Sequence, residues 1–516
     1  MAAVAQALEV RNPATLERVG EVQRTRPEDV AAAVERARVA QQAWWALGAG
    51  GRAVVLRRAA REMLDAKDDV ARTIVAETAK PLVEALTNDV WVAIETAAWL
   101  ARNAEPILRR ERVRYPQLNF KFKRGWIVYE PLGVMGVIPA WNYPYAIPFV
   151  QTAHSLAAGN GVVLKPSELT PLTGDWVARI FERAGAPRDL VSVVHGEADV
   201  GEALVRADGV DKILFTGSGK VGKLVAAAAA ERLCPVTLEL GGKDAMLVFA
   251  DADLNRAVSG ALFGAFGNCG QTCVGVERIF VERSRYEDFV AALAARTRGL
   301  RIGTDVGPLI SERQRAHVEA LVDDARDRGA RIVAGGARPE VELPGWFYEP
   351  TLVADPPADA RIVGEEIFGP AVTVEAFDGE DDAVGRANES EFGLGGSVWT
   401  RDADRARRVA RRMEAGMVWT NDYGYSWGTP QSPWGGVKQS GYGRIASKHG
   451  LYELSRIRYL DADSGRVGVP WWFPYGDSLT EGFRGSLDVV YGRRARALWA
   501  QRRGFAELAR RYARRS

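Results

Sequence analysis

The chain is poor in cysteine, in histidine and in uninterrupted apolar sequence, and each shortage excludes something. Three cysteines in 516 residues, Cys234, Cys269 and Cys273, leave no disulfide framework. Four histidines and no zinc-type spacing leave no His-rich metal centre, and no metal is expected. No apolar run is long enough to cross a bilayer. The start, Met1-Ala2-Ala3-Val4-Ala5-Gln6-Ala7, lacks the basic opening and sustained apolar stretch of a secretory signal. A reducing, cytoplasmic setting is therefore expected. Excess charge is also missing, since 68 basic residues stand against 66 acidic ones. The little there is sits at one end. From Asp461 onward there are eleven arginines and no lysine against six acidic residues, so the rest of the chain is slightly negative. The main body has no electrostatic case for nucleic acid. What remains, 47% apolar and 26% charged, suits large cores, and the length predicts two to four domains.

Hydrophobic patterning supplies the architecture. Pro27 to Asn103 reads mostly helical, with Ala-rich segments carrying Arg, Glu and Asp. Lys121 to Val137 predicts a β-hairpin with turn chemistry at Pro131-Leu132-Gly133. Strands then alternate with helices. Val134–Ile138, Gly161–Leu164, Leu190–Val194 and Lys212–Phe215 read as strands; Ile147–Ala158, Gly174–Ala184, Val200–Val205 and Val221–Arg232 read as helices. Short apolar strands between helices predict a parallel, doubly wound sheet. The pattern restarts after Glu239, with strands near Met246–Phe249 and Arg278–Val281, so a second α/β domain is expected.

Two of the three cysteines fall in Gly267-Asn268-Cys269-Gly270-Gln271-Thr272-Cys273, and Cys273 stands 34 residues after the Glu239 that ends an apolar strand. A thiol supplied with a carboxylate base is suited to attack a carbonyl and hydrolyse the resulting acyl group. Upstream, Gly217-Ser218-Gly219-Lys220-Val221-Gly222 forms G-x-G-x-x-G between a strand and an Ala-rich helix. Backbone N–H groups at such a helix start suit a pyrophosphate. That motif expects a ribose-binding acid about 20 residues on. Glu239 stands 22 residues after Gly217, but Gly241-Gly242 follows it instead of a βαβ continuation. Lys165-Pro166-Ser167-Glu168, at the end of an earlier strand, is better placed for a ribose.

Several further motifs share this order: Trp141-Asn142-Tyr143-Pro144, Leu238-Glu239-Leu240-Gly241-Gly242-Lys243, Gly270-Gln271-Thr272-Cys273, Glu365-Glu366-Ile367-Phe368-Gly369-Pro370 and Pro433-Trp434-Gly435-Gly436-Val437-Lys438-Gln439-Ser440-Gly441. Together, from Asn12 to Leu460, the chain resembles the aldehyde dehydrogenase superfamily. The resemblance implies an α/β fold with a Rossmann-like, doubly wound nucleotide domain (residues 1–111 and 132–240). A second α/β domain would carry catalysis (241–438), with a small β element for oligomerisation (112–131 and 439–461) and an extension (462–516). It implies Cys273 as nucleophile, Glu239 as general base, and the Asn142 side chain with the Cys273 backbone N–H as oxyanion donors. It places cofactor at Trp141, Lys165, Glu168, Gly217, Ser218, Gly222, Leu240, Glu366 and Phe368. Glu168 would accept from a ribose 2′-hydroxyl and repel a 2′-phosphate, so NAD is expected over NADP. The substrate is an aldehyde oxidised to its acid, and the protein a homodimer or homotetramer. Tyr143, Tyr145, Tyr423, Tyr425 and Trp427 point to an apolar entrance and an apolar or longer-chain aldehyde. The alternatives are a succinate-semialdehyde-like enzyme, a coenzyme A-acylating one, or a non-catalytic binding or structural protein on the same fold. Cys269 reads as a buried structural thiol or as a redox partner for Cys273.

Three positions depart from the family pattern: Ala140 precedes Trp141 in place of Pro, Ala79 stands where Gly is usual, and Ile445 follows Arg444 where Glu is common. The tail departs most. Tyr491, Ala495, Leu498, Phe505, Leu508 and Tyr512 recur at helical spacing, with Arg494, Arg496, Arg503, Arg510 and Arg514 mostly off that stripe. This predicts a basic amphipathic helix that packs on a subunit or makes a peripheral contact with an anionic membrane.

Overall fold

The computed structural model describes residues 7–117, 120, 122–463, 465–492 and 496–513. The chain divides into two compact units, one of residues 7–108 with 130–456 and one of residues 109–129 with 457–513.

The larger unit holds two sheets. The first orders its strands as Gly441–Tyr442, Val236–Glu239, Lys212–Thr216, Val134–Ile138, Gly161–Leu164 and Val191–Val193. The five long-range partners run parallel and the Gly441–Tyr442 strand antiparallel to Val236–Glu239. Central strands such as Gly161–Leu164 are buried on both faces, which is why they read as unbroken aliphatic runs. Helices Ala146–Ala157, Pro171–Arg183, Ala198–Arg206 and Gly219–Ala230 fill the crossovers. The strand–helix alternation expected from the sequence is therefore observed, with ends shifted by a few residues.

The second sheet has seven strands, with Asp244–Val248 between Val276–Glu282 and Gly395–Trp399. The Leu254–Phe266 helix packs on it and ends at the cysteine loop. Ahead of both sheets run the helices Val30–Ala46, Gly48–Thr78 and Val92–Ile107. Ala79 caps the second of these in the left-handed region, φ 52°.

One expectation fails. Arg124–Pro131 and Val134–Ile138 are both strands, but they do not form a hairpin. The first pairs antiparallel with Glu111–Val113, and the second joins the six-stranded sheet. The Asp211 carboxylate takes the Val134 N–H at 2.8 Å, and the Asn160 side chain takes the Gly133 N–H, so the turn is committed to the parallel sheet. Lys121 lies outside the described residues.

In the smaller unit, the Arg124–Pro131 strand lies between Glu111–Val113 and Ser455–Ala462. The tail is not one helix. It forms Asp477–Val490, Arg496–Ala500 and Arg502–Ala513. Phe505, Leu508 and Tyr512 are withdrawn from water as the stripe predicts, but Tyr491 and Leu498 are exposed. The first helix ends at Val490 with Tyr491 as its cap, so the two ends of the apparent stripe belong to different helices. Arg494, Ala495 and Arg514 lie outside the described residues. Among the described residues no helix is long and apolar enough to cross a membrane.

Candidate active site

The cysteine loop is built on an unusual backbone. Asn268, Cys269 and Gly270 follow one another in the left-handed region, at φ 54°, 57° and 68°. Each non-glycine residue held there costs about 1–2 kcal/mol, so surrounding contacts must hold the turn. They come from distant elements. Both Glu84 carboxylate oxygens face the Asn268 N–H, at 3.0 and 3.1 Å. The Asn268 amide donates to the Asn142 and Gln271 carbonyls, at 2.9 and 3.1 Å. The Gln271 side chain donates to the Asn268 carbonyl and accepts from the Ile310 N–H. A side chain at Gly270 would collide with the Gly369 carbonyl. The turn thereby delivers Cys273, at its exit, to a cavity while Cys269 is packed into the core of the second sheet.

Cys273 and Glu239 open on the same cavity of about 200 Å³. Aromatic rings form much of its wall: Tyr143, Phe263, Tyr423, Tyr425, Trp427 and Trp434. No lysine, arginine or histidine lines it among the described residues. Tyr145, expected at this entrance, is instead fully buried and packs on Phe149 at 5.5 Å in the core of the first unit. Ile445 also faces the cavity, where a glutamate would have brought charge.

The electrostatics follow from burial. Glu239 is buried, and neither carboxylate oxygen has a hydrogen-bond partner among the described residues. Burial holds its carboxyl well above the usual range, offset in part by the Arg444 cation. Burial also pushes the Cys273 thiol up, and the Glu239, Asp244 and Glu366 carboxylates add to this. The Val274 N–H opposes it by bonding the thiolate form. The Asn142 side-chain nitrogen lies 3.0 Å from the Gln271 carbonyl, two residues before Cys273.

A second group of the expected residues gathers around the end of the first sheet. Ser218 caps the Gly219–Ala230 helix, accepting from Val221. The Gly217 N–H donates to the Glu239 carbonyl at 3.1 Å, and a side chain at Gly222 would collide with Leu240. The Lys165 ammonium is buried 3.4 Å from the Glu168 carboxylate, whose side chain is half-exposed. Trp141 and Phe368 meet edge to face at 5.4 Å. Glu366 accepts the Gly242 N–H at 3.0 Å and lies where any side chain at Gly241 would be. Its withdrawal from water and the nearby Glu277 hold its carboxyl up at about 8.

Residues 1–460 match the family model described as the aldehyde dehydrogenase family. The chain belongs to the aldehyde dehydrogenase family. This aldehyde dehydrogenase is 39% identical over 466 residues to a betaine aldehyde dehydrogenase of Rhizobium leguminosarum bv. trifolii, covering 89% of this chain and 94% of that protein. It is 38% identical to a betaine aldehyde dehydrogenase of Agrobacterium fabrum, covering 89% and 93%. Among solved structures, it superposes with a TM-score of 0.85 on a Mycobacterium tuberculosis aldehyde dehydrogenase complexed with NAD+, at 36% identity over 89% of this chain and 95% of that one. A betaine aldehyde dehydrogenase point mutant from Staphylococcus aureus, in complex with NAD+, gives 0.86 at 34% identity over 91% and 96%.

Some residues that brace this region carry no role in the sequence reading, although Lys243 and Ser440 stand within motifs quoted above. Glu277 accepts the Ile367 and Phe368 N–H groups at 2.9 Å and pairs with the buried Lys243 at 2.7 Å. It fixes the segment on which Phe368 adopts φ 48°. Lys80, paired with Asp89, donates to the Asn142 carbonyl at 2.7 Å. Ser440 accepts from Gly393 and donates to the Gly241 carbonyl at 2.6 Å. Most of these partners lie between 60 and 200 residues apart, as with Lys80 and Asn142 or Ser440 and Gly241, so no short motif records them.

Proposed function

We propose that this dehydrogenase oxidises an aldehyde to its carboxylic acid through a thioester on Cys273. The observation that carries the reading is the shared apolar cavity: the thiol and a carboxylate with no hydrogen-bond partner among the described residues face the same space. Cys273 would give up its Sγ–H proton to water and add to the carbonyl carbon as the thiolate, and the carbonyl π pair would move to oxygen. The Asn142 amide, whose nitrogen donates to the Gln271 carbonyl at 3.0 Å, would offer its other hydrogen to that oxyanion. When bound, NAD would supply the hydride acceptor for oxidation of the adduct to a thioester. Glu239 then takes a proton from water as its oxygen attacks the thioester carbon, and Sγ departs as thiolate. A buried, partnerless Glu239 is a strong base once ionised, which favours water over coenzyme A as acyl acceptor.

The donor set fits the dinucleotide. The Ser218-capped helix start offers N–H groups to a pyrophosphate. Lys165 and Glu168 stand as a donor–acceptor pair for vicinal hydroxyls, and the Glu168 charge disfavours a 2′-phosphate, so NAD is the first choice. Glu366, Trp141, Phe368 and Leu240 would bound the nicotinamide half, with Gly217 and Gly222 allowing close approach.

The absence of a lining cation argues against a carboxylated semialdehyde. The aromatic wall favours an uncharged apolar aldehyde. A second reading is a quaternary ammonium aldehyde, which the faces of Tyr143, Tyr423, Tyr425, Trp427 and Trp434 could hold through cation–π attraction. It is also the substrate class named for the betaine aldehyde dehydrogenase relatives. Free thiols fit a cytoplasmic enzyme. The Ser455–Ala462 strand, with Ile457, Tyr459 and Leu460 exposed, is the surface that supports assembly as a homodimer or homotetramer. NADH formation by absorbance, with straight-chain, aromatic, quaternary ammonium and carboxylated aldehydes, tests the reading. No turnover with any of them, by wild-type enzyme and with either dinucleotide, would sink it.

A further inference from the structure

The family match ends at residue 460, and the described tail beyond it forms a helical hairpin of its own. The Asp477–Val490 helix packs on Arg502–Ala513 and on the short Arg496–Ala500 helix. The crossing is closest where glycines meet. A side chain at Gly482 would collide with the Gly504 carbonyl, and one at Gly485 with Gln501 and Phe505. Buried Leu479 and Leu508 complete the seam. This register sets the C-terminal end of the first helix beside the Arg496–Ala500 helix and the start of the last one.

That end of the hairpin is apolar and open. Leu487, Val490, Tyr491, Leu498 and Trp499 are exposed at 60, 57, 75, 51 and 76%. A water-facing hairpin gains nothing from five large apolar side chains in one place. Cations surround them. Arg484, Arg496, Arg502 and Arg503 are exposed, and none makes an ion pair among the described residues. The Arg502 guanidinium lies 5.1 Å over the Trp499 ring. The opposite end differs. There Arg510 and Arg511 are both paired with Glu507, and Arg511 also donates to the Pro470, Trp472 and Pro474 carbonyls. Among the described residues of the hairpin, arginines without an ion pair therefore collect at the apolar tip.

We propose that this tip docks on an anionic lipid surface. Leu and Trp side chains enter the headgroup boundary, while arginines keep their heads among the phosphates. The charge pattern selects this occupant over a second copy of the chain: a two-fold contact between identical tips would set arginine against arginine. The contact is peripheral, because no described helix can span a bilayer.

Vesicle flotation of the full-length protein tests the assignment, with phosphatidylcholine vesicles compared with vesicles rich in phosphatidylglycerol. The protein is expected to float only with the anionic vesicles and to be released by high salt. The pair Arg502→Glu with Arg503→Glu is expected to weaken partitioning by about 25-fold or more, since each surface cation contributes roughly fivefold. Trp499→Ala is expected to weaken it several-fold, with dehydrogenase activity and thermal melting unchanged in both variants. Failure to float, equal binding to uncharged vesicles, or unaltered binding by both variants would overturn the assignment. So would a change in oligomeric size on substitution with no flotation, which would make the tip an interface between copies.

Discussion

The Asn142 side-chain nitrogen faces the Gln271 carbonyl at 3.0 Å, and this contact sets the orientation of the amide above the cysteine loop. The nitrogen makes this one hydrogen bond among the described residues, so the amide has one donor hydrogen engaged and one to offer. Asn142→Ala should lower kcat by about 10²–10³, the usual effect of losing one oxyanion donor. Steady-state kinetics of the variant check this. A loss confined to KM would mean the amide only helps binding.

Glu239→Gln should separate the two halves of the reaction. A burst of NADH should survive while steady turnover collapses, because the thioester forms but water is not activated. The same change should alter stability in a signed way. The Glu239 carboxyl is raised above its unfolded value by burial. Between the unfolded pKa and the folded one, the unfolded chain gives up a proton that the folded chain keeps. Wild-type stability should thus fall as pH rises through that window, by about 1.4 kcal/mol per pH unit from this group. Thermal melts against pH should show a flatter alkaline limb for Glu239→Gln.

His154 should act at the other end of the scale. Burial lowers it to about 4, so the folded protein holds it neutral while the unfolded chain protonates it near 6.5. Its contribution is present above 6.5 and is lost as pH falls towards 4. His154→Gln should retain more of its neutral-pH stability at pH 4.5 than wild type does, measured by denaturant titration at both pH values.

Ala79 sits at a helix C-terminus with φ 52°. Left-handed backbone favours glycine, so Ala79→Gly should stabilise the protein by about 1 kcal/mol. Chemical denaturation is the check. The sequence recorded the departure from glycine at this position, and the backbone explains why the family prefers it.

Most of the first sheet was legible because buried parallel strands read as aliphatic runs between helices. The cysteine loop was legible as a motif, but its left-handed backbone was not. Nothing in Asn268-Cys269-Gly270 says which carboxylate will hold the turn, since Glu84 lies 184 residues away. Tyr145 was misplaced for a related reason: it stands just before the Ala146–Ala157 helix, where Asp89, 56 residues away, accepts its N–H at 3.1 Å and its ring packs on Phe149. The hairpin at Pro131 failed because strand pairing depends on Asp211 and Asn160, which local turn chemistry does not reveal. The tail's apolar spacing continued across a break that only tertiary structure exposes.

Glu84 supplies a separate prediction. Glu84→Ala removes the acceptor for the Asn268 N–H and should loosen the turn that presents Cys273. The fall should appear in kcat, about tenfold or more, with KM for NAD nearly unchanged, because a misplacement near the nucleophile affects the reacting geometry. Glu84→Gln, which keeps an acceptor, should recover part of the loss.

The central claim is the acyl thioester on Cys273, and mass spectrometry of Glu239→Gln protein quenched during turnover tests it most directly. An added acyl group is expected on the peptide bearing Cys273, with no adduct and no NADH formed by Cys273→Ala. Turnover that persists in Cys273→Ala, or an acyl group found on another residue, would contradict it.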